Sequence, residues 1–423
     1  MKITQLYQNY HVMIKNFSYI SSVKSVSIIL PLVTFPYLIR TLGAEQYGIV
    51  MWAWAVAQIL IAFIQLGFET LGTKLVSENR EDKKIISKIL AQITFIKLIL
   101  FALVICIIFF LLLFEKFNNH KSLFFAFMIF IFCESMLPMW YFQGIEEMKF
   151  VAISNLLTKL FFACSVFIFV YNSADYLLVA IFYGIGSMLS LLFSILIISK
   201  HKLNLVEFKL VEIINLTKES FIISSSTIGN ALRDNVTIFL IQIYSGPVSV
   251  AYFDLACRVV NILLVPFHVV SDVIYPHIAK TRDLEFLKRV IAISLALSSF
   301  ITVIFFININ TISFLLLGSY NPILINIFKF LILVIPIGTL SALLSKNILV
   351  VFGASKYYAY AMFWSSMVYL TLFVVGYAAD TLNLYLFVGL FLLYFIIQCF
   401  IFSAKSVYVL RAYNVQTRLG GPF

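Results

Sequence analysis

The chain has 423 residues, of which 62% are hydrophobic and 12% charged, about half the charged share of a soluble globular domain. A soluble core cannot absorb that much apolar surface, so secreted, cytosolic and disordered readings are excluded and an integral membrane protein is implied. The 30 Lys and Arg against 19 Asp and Glu give a formal +11, an excess that the positive-inside rule accounts for without nucleic acid.

The first sixteen residues carry Lys2 and Lys15 but no short apolar run ending in a small-residue cleavage site, so no cleaved signal peptide is expected. A bilayer core of about 30 Å needs about 20 apolar residues per helix. By that measure spans are predicted near 17–40, 46–70, 88–113, 121–143, 150–171 and 175–199, then near 219–244, 247–275, 287–309, 322–350, 356–379 and 382–408. The fold class is therefore an all-α membrane protein of twelve transmembrane helices. Turn-forming pieces such as Gly43-Ala44-Glu45-Gln46, Asn118-Asn119-His120 and Ser245-Gly246-Pro247 separate the spans.

Twelve spans put both termini on one side and sort the loops into two sets. One set holds twenty Lys and Arg, the other only Arg40, Lys116 and Lys121. That bias places both termini in the cytoplasm. The organisation read from this is an N-terminal bundle at 1–200, a cytoplasmic linker at 201–218 and a C-terminal bundle at 219–423. In the linker region Leu203, Val206, Leu210, Ile213, Ile214 and Leu216 recur at near-helical spacing beside Lys202, Glu207, Lys209 and Glu212. Two readings are open: a helix on the membrane surface, or a solvated connection. The outer loops are too short for an extracellular catalytic domain.

The halves show traces of a repeat. Gly43 and Tyr47-Gly48 open the second span as Gly246 and Ala251-Tyr252 open the eighth. Gln58 falls opposite Asn261, and Gly144 roughly opposite Gly353. Six spans per half make the repeat parallel, as in transporters that hold substrate near the midplane and work by alternating access.

A charge at a helix centre costs about 2.5 to 3.5 kcal/mol on insertion scales, so embedded charges usually face a bundle interior or a wet cavity. Seven cations fall inside the predicted spans: Lys24, Lys97, Lys159, Arg233, Arg258, Lys329 and Lys346. Five acids accompany them: Glu69, Glu134, Asp234, Asp254 and Asp272. The surplus of cations suits an anion. Ser226, Asn230, Arg233 and Thr237 form one polar stripe on the seventh span. Lys24, Ser27, Pro31 and Thr34 share a face of the first, where Pro31 and Pro36 suggest a hinge. Asp254, Arg258 and Asn261 share a face of the eighth, and the spacing of four favours an Asp254–Arg258 ion pair. That pair reads either as a substrate-facing group or as structural neutralisation. Lys97 and Lys346 are expected to snorkel toward an interface, and Lys159 to face a cavity. Glu134, one turn before Pro138, reads as a helix-packing carboxyl or as a proton-coupling site. Arg233 is the foremost phosphate ligand because a guanidinium stays charged and pairs bidentately with phosphate oxygens. The four tryptophans fit interfacial anchoring.

No GxxxxGK[ST] occurs, so no nucleotide is expected. The five histidines are scattered and the five cysteines lack CxxC spacing, so neither a metal nor a disulfide is expected. No catalytic spacing stands out, and an enzyme is not expected.

The stretch Ile29-Leu30-Pro31-Leu32-Val33-Thr34-Phe35-Pro36-Tyr37-Leu38-Ile39-Arg40-Thr41-Leu42-Gly43, with Tyr47-Gly48 and Gln65-Leu66-Gly67-Phe68, resembles the N-terminal signature of Wzx-type O-antigen and capsule flippases. These share a superfamily with MATE exporters and lipid II flippases. The resemblance is densest over 20–90. It implies a V-shaped pair of six-helix bundles around a cationic cavity in the bacterial inner membrane. The implied substrate is an oligosaccharide joined through pyrophosphate to undecaprenol, moved to the periplasmic leaflet. The cavity cations carry over onto Lys24, Arg233 and Arg258, with Lys159 beside them and Ser27, Asn230, Thr237 and Asn261 as supporting polar groups. Implied partners are that lipid-linked oligosaccharide, membrane lipids and other polysaccharide-assembly proteins. No cofactor is expected beyond H+ or Na+ as coupling ion, for which Glu134, Asp234 and Asp254 are the candidates. Lipid II flippases typically carry two further C-terminal spans, which sets twelve spans apart from that branch. A MATE-like drug antiporter is the alternative, and a membrane glycosyltransferase or polymerase stands behind it.

Overall fold

Apolar runs of twenty or more residues, with their turn residues confined to the ends, leave the backbone no partner in hydrocarbon except itself, so they form helices. The computed structural model describes the backbone of residues 2–201 and 210–418, and the side chains of 30–201, 211–221, 234–354, 356–358 and 360–413. Helices dominate and no strand occurs among these residues. Ten helical segments among the described residues are long and apolar enough to cross a membrane. The first two predicted spans run together in the segment Leu30–Glu78, and the predicted seventh lies on the helix Leu210–Ser245, where the side chains of 222–233 fall outside the described residues. The chain forms two compact units, Met1–Phe239 and Leu240–Phe423.

In the first unit one helix, Lys2–Gln65, passes through Pro31 and Pro36, and its non-helical residue is Gly43, with φ 79° and ψ 158°. The break therefore sits at Gly43, while Pro31 and Pro36 lie within the helix. A proline keeps a helical φ and removes one hydrogen bond, whereas a φ near +80° is open to glycine and costly for other residues. Beyond Gly43 the helix is almost wholly covered: Tyr47, Met51, Ala55 and Ile64 are all buried. A left-handed pair, Leu66 and Gly67, then turns the chain into the helix Phe68–Glu78.

The span Lys121–Gly144 is interrupted. Its first helix ends at Met136 and a short one, Met139–Gly144, follows Leu137-Pro138. Close approach fixes the short helix against Phe68–Glu78: a Cβ at Gly72 would lie 2.6 Å from the Trp140 ring, and one at Gly144 2.6 Å from Val76. The cluster around Trp140 includes Phe68, Ile86, Ile93 and Ile213. Ile213 shows where the linker goes. Residues 202–209 lie outside the described residues, but from Leu210 the chain is helical and one face docks on the first unit. Glu212 accepts from Lys88 at 2.8 Å and Gln92 at 2.9 Å, and Ser220 Oγ donates to the Leu66 carbonyl.

In the second unit Gly246, with φ 79° and ψ 175°, opens the helix Pro247–Thr281, the conformation that Gly43 takes in the first. This supports the Gly43–Gly246 part of the repeat. Gly144 and Gly353 differ in conformation: Gly353 has φ 75° while Gly144 is helical. The second core gathers Ile278, Leu287, Leu343, Phe352 and Phe402. The span Pro322–Val350 ends in a π-helical turn, Ser345–Val350.

The expectation of an interfacial tryptophan belt is corrected for two of the four. Trp52 and Trp140 are 1% and 2% exposed. Trp52 packs on Phe117, His120 and Phe124, so aromatic stacking and apolar area decide its place. Trp364 is exposed.

Gly72→Ala pushes a methyl group into Trp140 and Ile93 and is expected to cost about 1 to 3 kcal/mol. Gly389→Ala meets nothing within 4 Å and is expected to be neutral or stabilising by up to about 1 kcal/mol. Thermal unfolding of the two purified variants in one detergent compares them directly.

Candidate functional site

Polar groups from five helices of the first unit act on one another, with Lys97 buried and Glu69 exposed. Glu69 stands in the first turn of Phe68–Glu78, where the N-terminal partial charge favours an anion. Lys97 lies midway along Lys83–Leu111 and is 2% exposed. Its Nζ donates to the Ser135 carbonyl at 2.7 Å. Glu134 sits in the last turn before the Pro138 break and accepts from Ser187 Oγ at 2.7 Å. Glu69 lies within electrostatic reach of both Lys97 and Glu134, and Lys159 of Glu134. Behind this cluster the helices Met148–Phe169 and Tyr176–Lys200 are joined by small polar contacts. Ser190 donates to the Ser154 carbonyl at 3.0 Å, Thr158 to the Gly186 carbonyl at 3.3 Å, and the Ser154 and Ser194 hydroxyls meet at 3.3 Å. Small residues of this kind let membrane helices approach closely and bond across the interface.

Two polar groups stand out among the described residues of the second unit. Arg258 Nε donates to Asp254 Oδ2 at 2.7 Å, with the Asp254 side chain 5% and the Arg258 side chain 20% exposed. Toward the other end of the same helix, Asp272 pairs with Lys346 at 2.5 Å. There Asn347 Nδ2 donates to Ser271 Oγ at 2.9 Å, and Ser271 Oγ to the Ala342 carbonyl at 2.8 Å.

Of the candidate substrate-binding cations, the side chains of Lys24 and Arg233 lie outside the described residues, as do those of Ser27 and Asn230. Arg258 forms the expected pair with Asp254, and Asn261 is exposed. Thr237 is buried and Asp234 half-buried. Lys159 is half-buried and within electrostatic reach of Glu134. Lys97 is a correction: it does not snorkel but ends on a carbonyl inside the unit, because the interrupted helix leaves its last carbonyls without donors. Lys346 is exposed, as snorkelling requires, and paired. Sequence reasoning missed Glu69 as the acid shared by two neighbours, and it missed Ser187. The serine spacing Ser187, Ser190, Ser194 on one helical face was the available signal.

Asp254→Ala leaves the Arg258 guanidinium half-enclosed without its carboxylate, and about 3 kcal/mol of stability is expected to be lost. The double variant Asp254→Ala/Arg258→Leu is expected to recover much of it, read as melting temperature.

A family model described as polysaccharide biosynthesis protein matches residues 13–282. A protein named "Putative O-antigen transporter" from Escherichia coli strain K-12 is 28% identical over 288 residues, covering 67% of this chain and 69% of that protein. One of the same name from Shigella dysenteriae is 24% identical over 282 residues, covering 65% and 69%. Among solved structures, an inward-facing multidrug resistance MATE family transporter of the MOP superfamily matches with TM-score 0.68 and 13% identity over 92% of this chain and 95% of that one. The lipid II flippase MurJ in an inward closed conformation matches with TM-score 0.64 and 18% identity over 93% and 87%. At those identities the structural likeness shows a shared fold.

Proposed function

The chain belongs to the polysaccharide biosynthesis protein family, through residues 13–282, and from that membership we propose that it moves undecaprenyl-pyrophosphate-linked oligosaccharide repeat units from the cytoplasmic to the periplasmic leaflet of a bacterial inner membrane. It is a multi-pass membrane transporter, not an enzyme. The proposed form is twelve spans in two six-helix bundles, both termini cytoplasmic, working by alternating access. The observation that carries the reading is the relative named for O-antigen transport, 28% identical over two thirds of the chain. The fold shared with a lipid II flippase supports it.

The physics is coherent with this role. A diphosphate and its sugars cannot cross hydrocarbon unaided, since each polar group without a partner costs several kcal/mol. A wet, cation-lined chamber lowers that barrier while the apolar tail stays in lipid. With the cell interior negative, moving about two negative charges outward gains roughly 4 to 5 kcal/mol per 100 mV. Coupling to H+ or Na+ through Glu134, Asp234 or Asp254 adds drive or resets the carrier, and other polysaccharide-assembly proteins receive the product. Lys24, Arg233 and Arg258 hold the diphosphate.

The test is rescue of surface polysaccharide in a bacterium lacking its own exporter, with defined repeat units. Rescue by the native chain is expected, and Arg233→Ala is expected to lose about 2 kcal/mol of phosphate binding, roughly a thirtyfold fall in flux, at unchanged protein level. Normal polysaccharide from that variant removes Arg233 from the mechanism, and failure of the native chain on every repeat unit tried, with export of a cationic dye instead, replaces the flippase with an antiporter.

A further inference from the structure

An α-helix that stops inside a membrane domain exposes up to four carbonyls at its end, which carries about half a negative charge. The helix Lys121–Met136 stops this way, because Leu137 is extended and Pro138 has no N–H to return to the Glu134 carbonyl. Interrupted membrane helices use such ends, with unwound carbonyls, to coordinate cations. Here a cation is already present. The Lys97 ammonium, 2% exposed, lies 2.7 Å from the Ser135 carbonyl oxygen, and the Glu69 carboxylate acts on it from the first turn of Phe68–Glu78. One buried ammonium is thus held by the carbonyl end of a broken helix and by the long helix that tethers it, with the exposed Glu69 carboxylate acting on it through space.

We propose that this is a monovalent-cation site permanently filled by a tethered ligand, the Lys97 side chain, so that the native first unit takes no free sodium at the end of its broken helix. The carbonyl end of the helix, with its partial negative charge, is open to a sodium ion or a small alkylammonium once the tether is cut. Lysine is the fitting resident because its ammonium is a compact point charge on a flexible stem. The inference reaches beyond the transport reading, and its readout is protein stability, which does not depend on what is carried.

The experiment uses the full chain purified in detergent. Thermal unfolding of the native protein and of Lys97→Ala is followed against sodium chloride, ethylammonium chloride and, as the ionic-strength control, choline chloride. A ligand that binds only the folded state raises its stability with its concentration. The native protein sets the baseline in each salt, including any response from a coupling-ion site elsewhere, and Lys97→Ala is read as its difference from that baseline. Lys97→Ala is expected to start lower and to gain a saturable rise of several degrees with sodium or ethylammonium over choline. A Lys97→Ala curve that parallels the native one in all three salts overturns the proposal. If Lys97→Ala is not recovered folded, Lys97→Met/Glu69→Gln supplies the second reading, since it removes the charge that the ammonium balances. Recovery of that double variant supports the resident cation, and its loss alongside Lys97→Met overturns it.

Discussion

Hydrocarbon offers a freed backbone carbonyl no water to fall back on, and the break at Pro138 is shaped by that fact. At Pro138 the helix Lys121–Met136 ends within its span, and the Ser135 carbonyl is met by Lys97 from another helix. Glu69, exposed on a neighbouring helix, acts on that ammonium and on Glu134 through space, and Glu134 accepts from Ser187. One missing N–H thus organises charges on four helices.

The breaks at Gly43 and Gly246 are of a different kind. Both have φ near 79° with an extended ψ, and what they require is the absence of a Cβ. Neither meets another atom within 4 Å of the position a Cβ would occupy, so the demand is torsional and not one of packing. That the same torsion opens the second helix of each half is the clearest structural trace of the repeat, whereas Gly144 and Gly353 differ in conformation.

How much was legible follows from the range of each interaction. Span positions were readable because hydropathy is local and the bilayer imposes a length. The Asp254–Arg258 pair was readable because four residues along a helix fix the distance. Lys97 was misjudged because snorkelling weighs only the lysine's own helix, whereas its partner belongs to a span whose break is set by Pro138, forty-one positions away. Trp52 was misjudged in the same way: its neighbours Phe117, His120 and Phe124 come from a distant part of the chain. A surplus of embedded cations counted along the sequence likewise said nothing of how each one is matched in space.

That matching bears on which groups can meet a diphosphate. Lys97 is committed to a carbonyl and lies too deep to be a ligand, and Lys346 is held by Asp272. Arg258 differs in kind: its Nε donates to Asp254 Oδ2, and a guanidinium is a planar fork of five donors. With Nε fixed, the plane of the fork is fixed as well, and the Arg258 side chain keeps 20% of its surface open. A carboxylate that orients a guanidinium in this way reduces the side-chain entropy lost on binding a second anion, at the cost of part of its attraction for that anion.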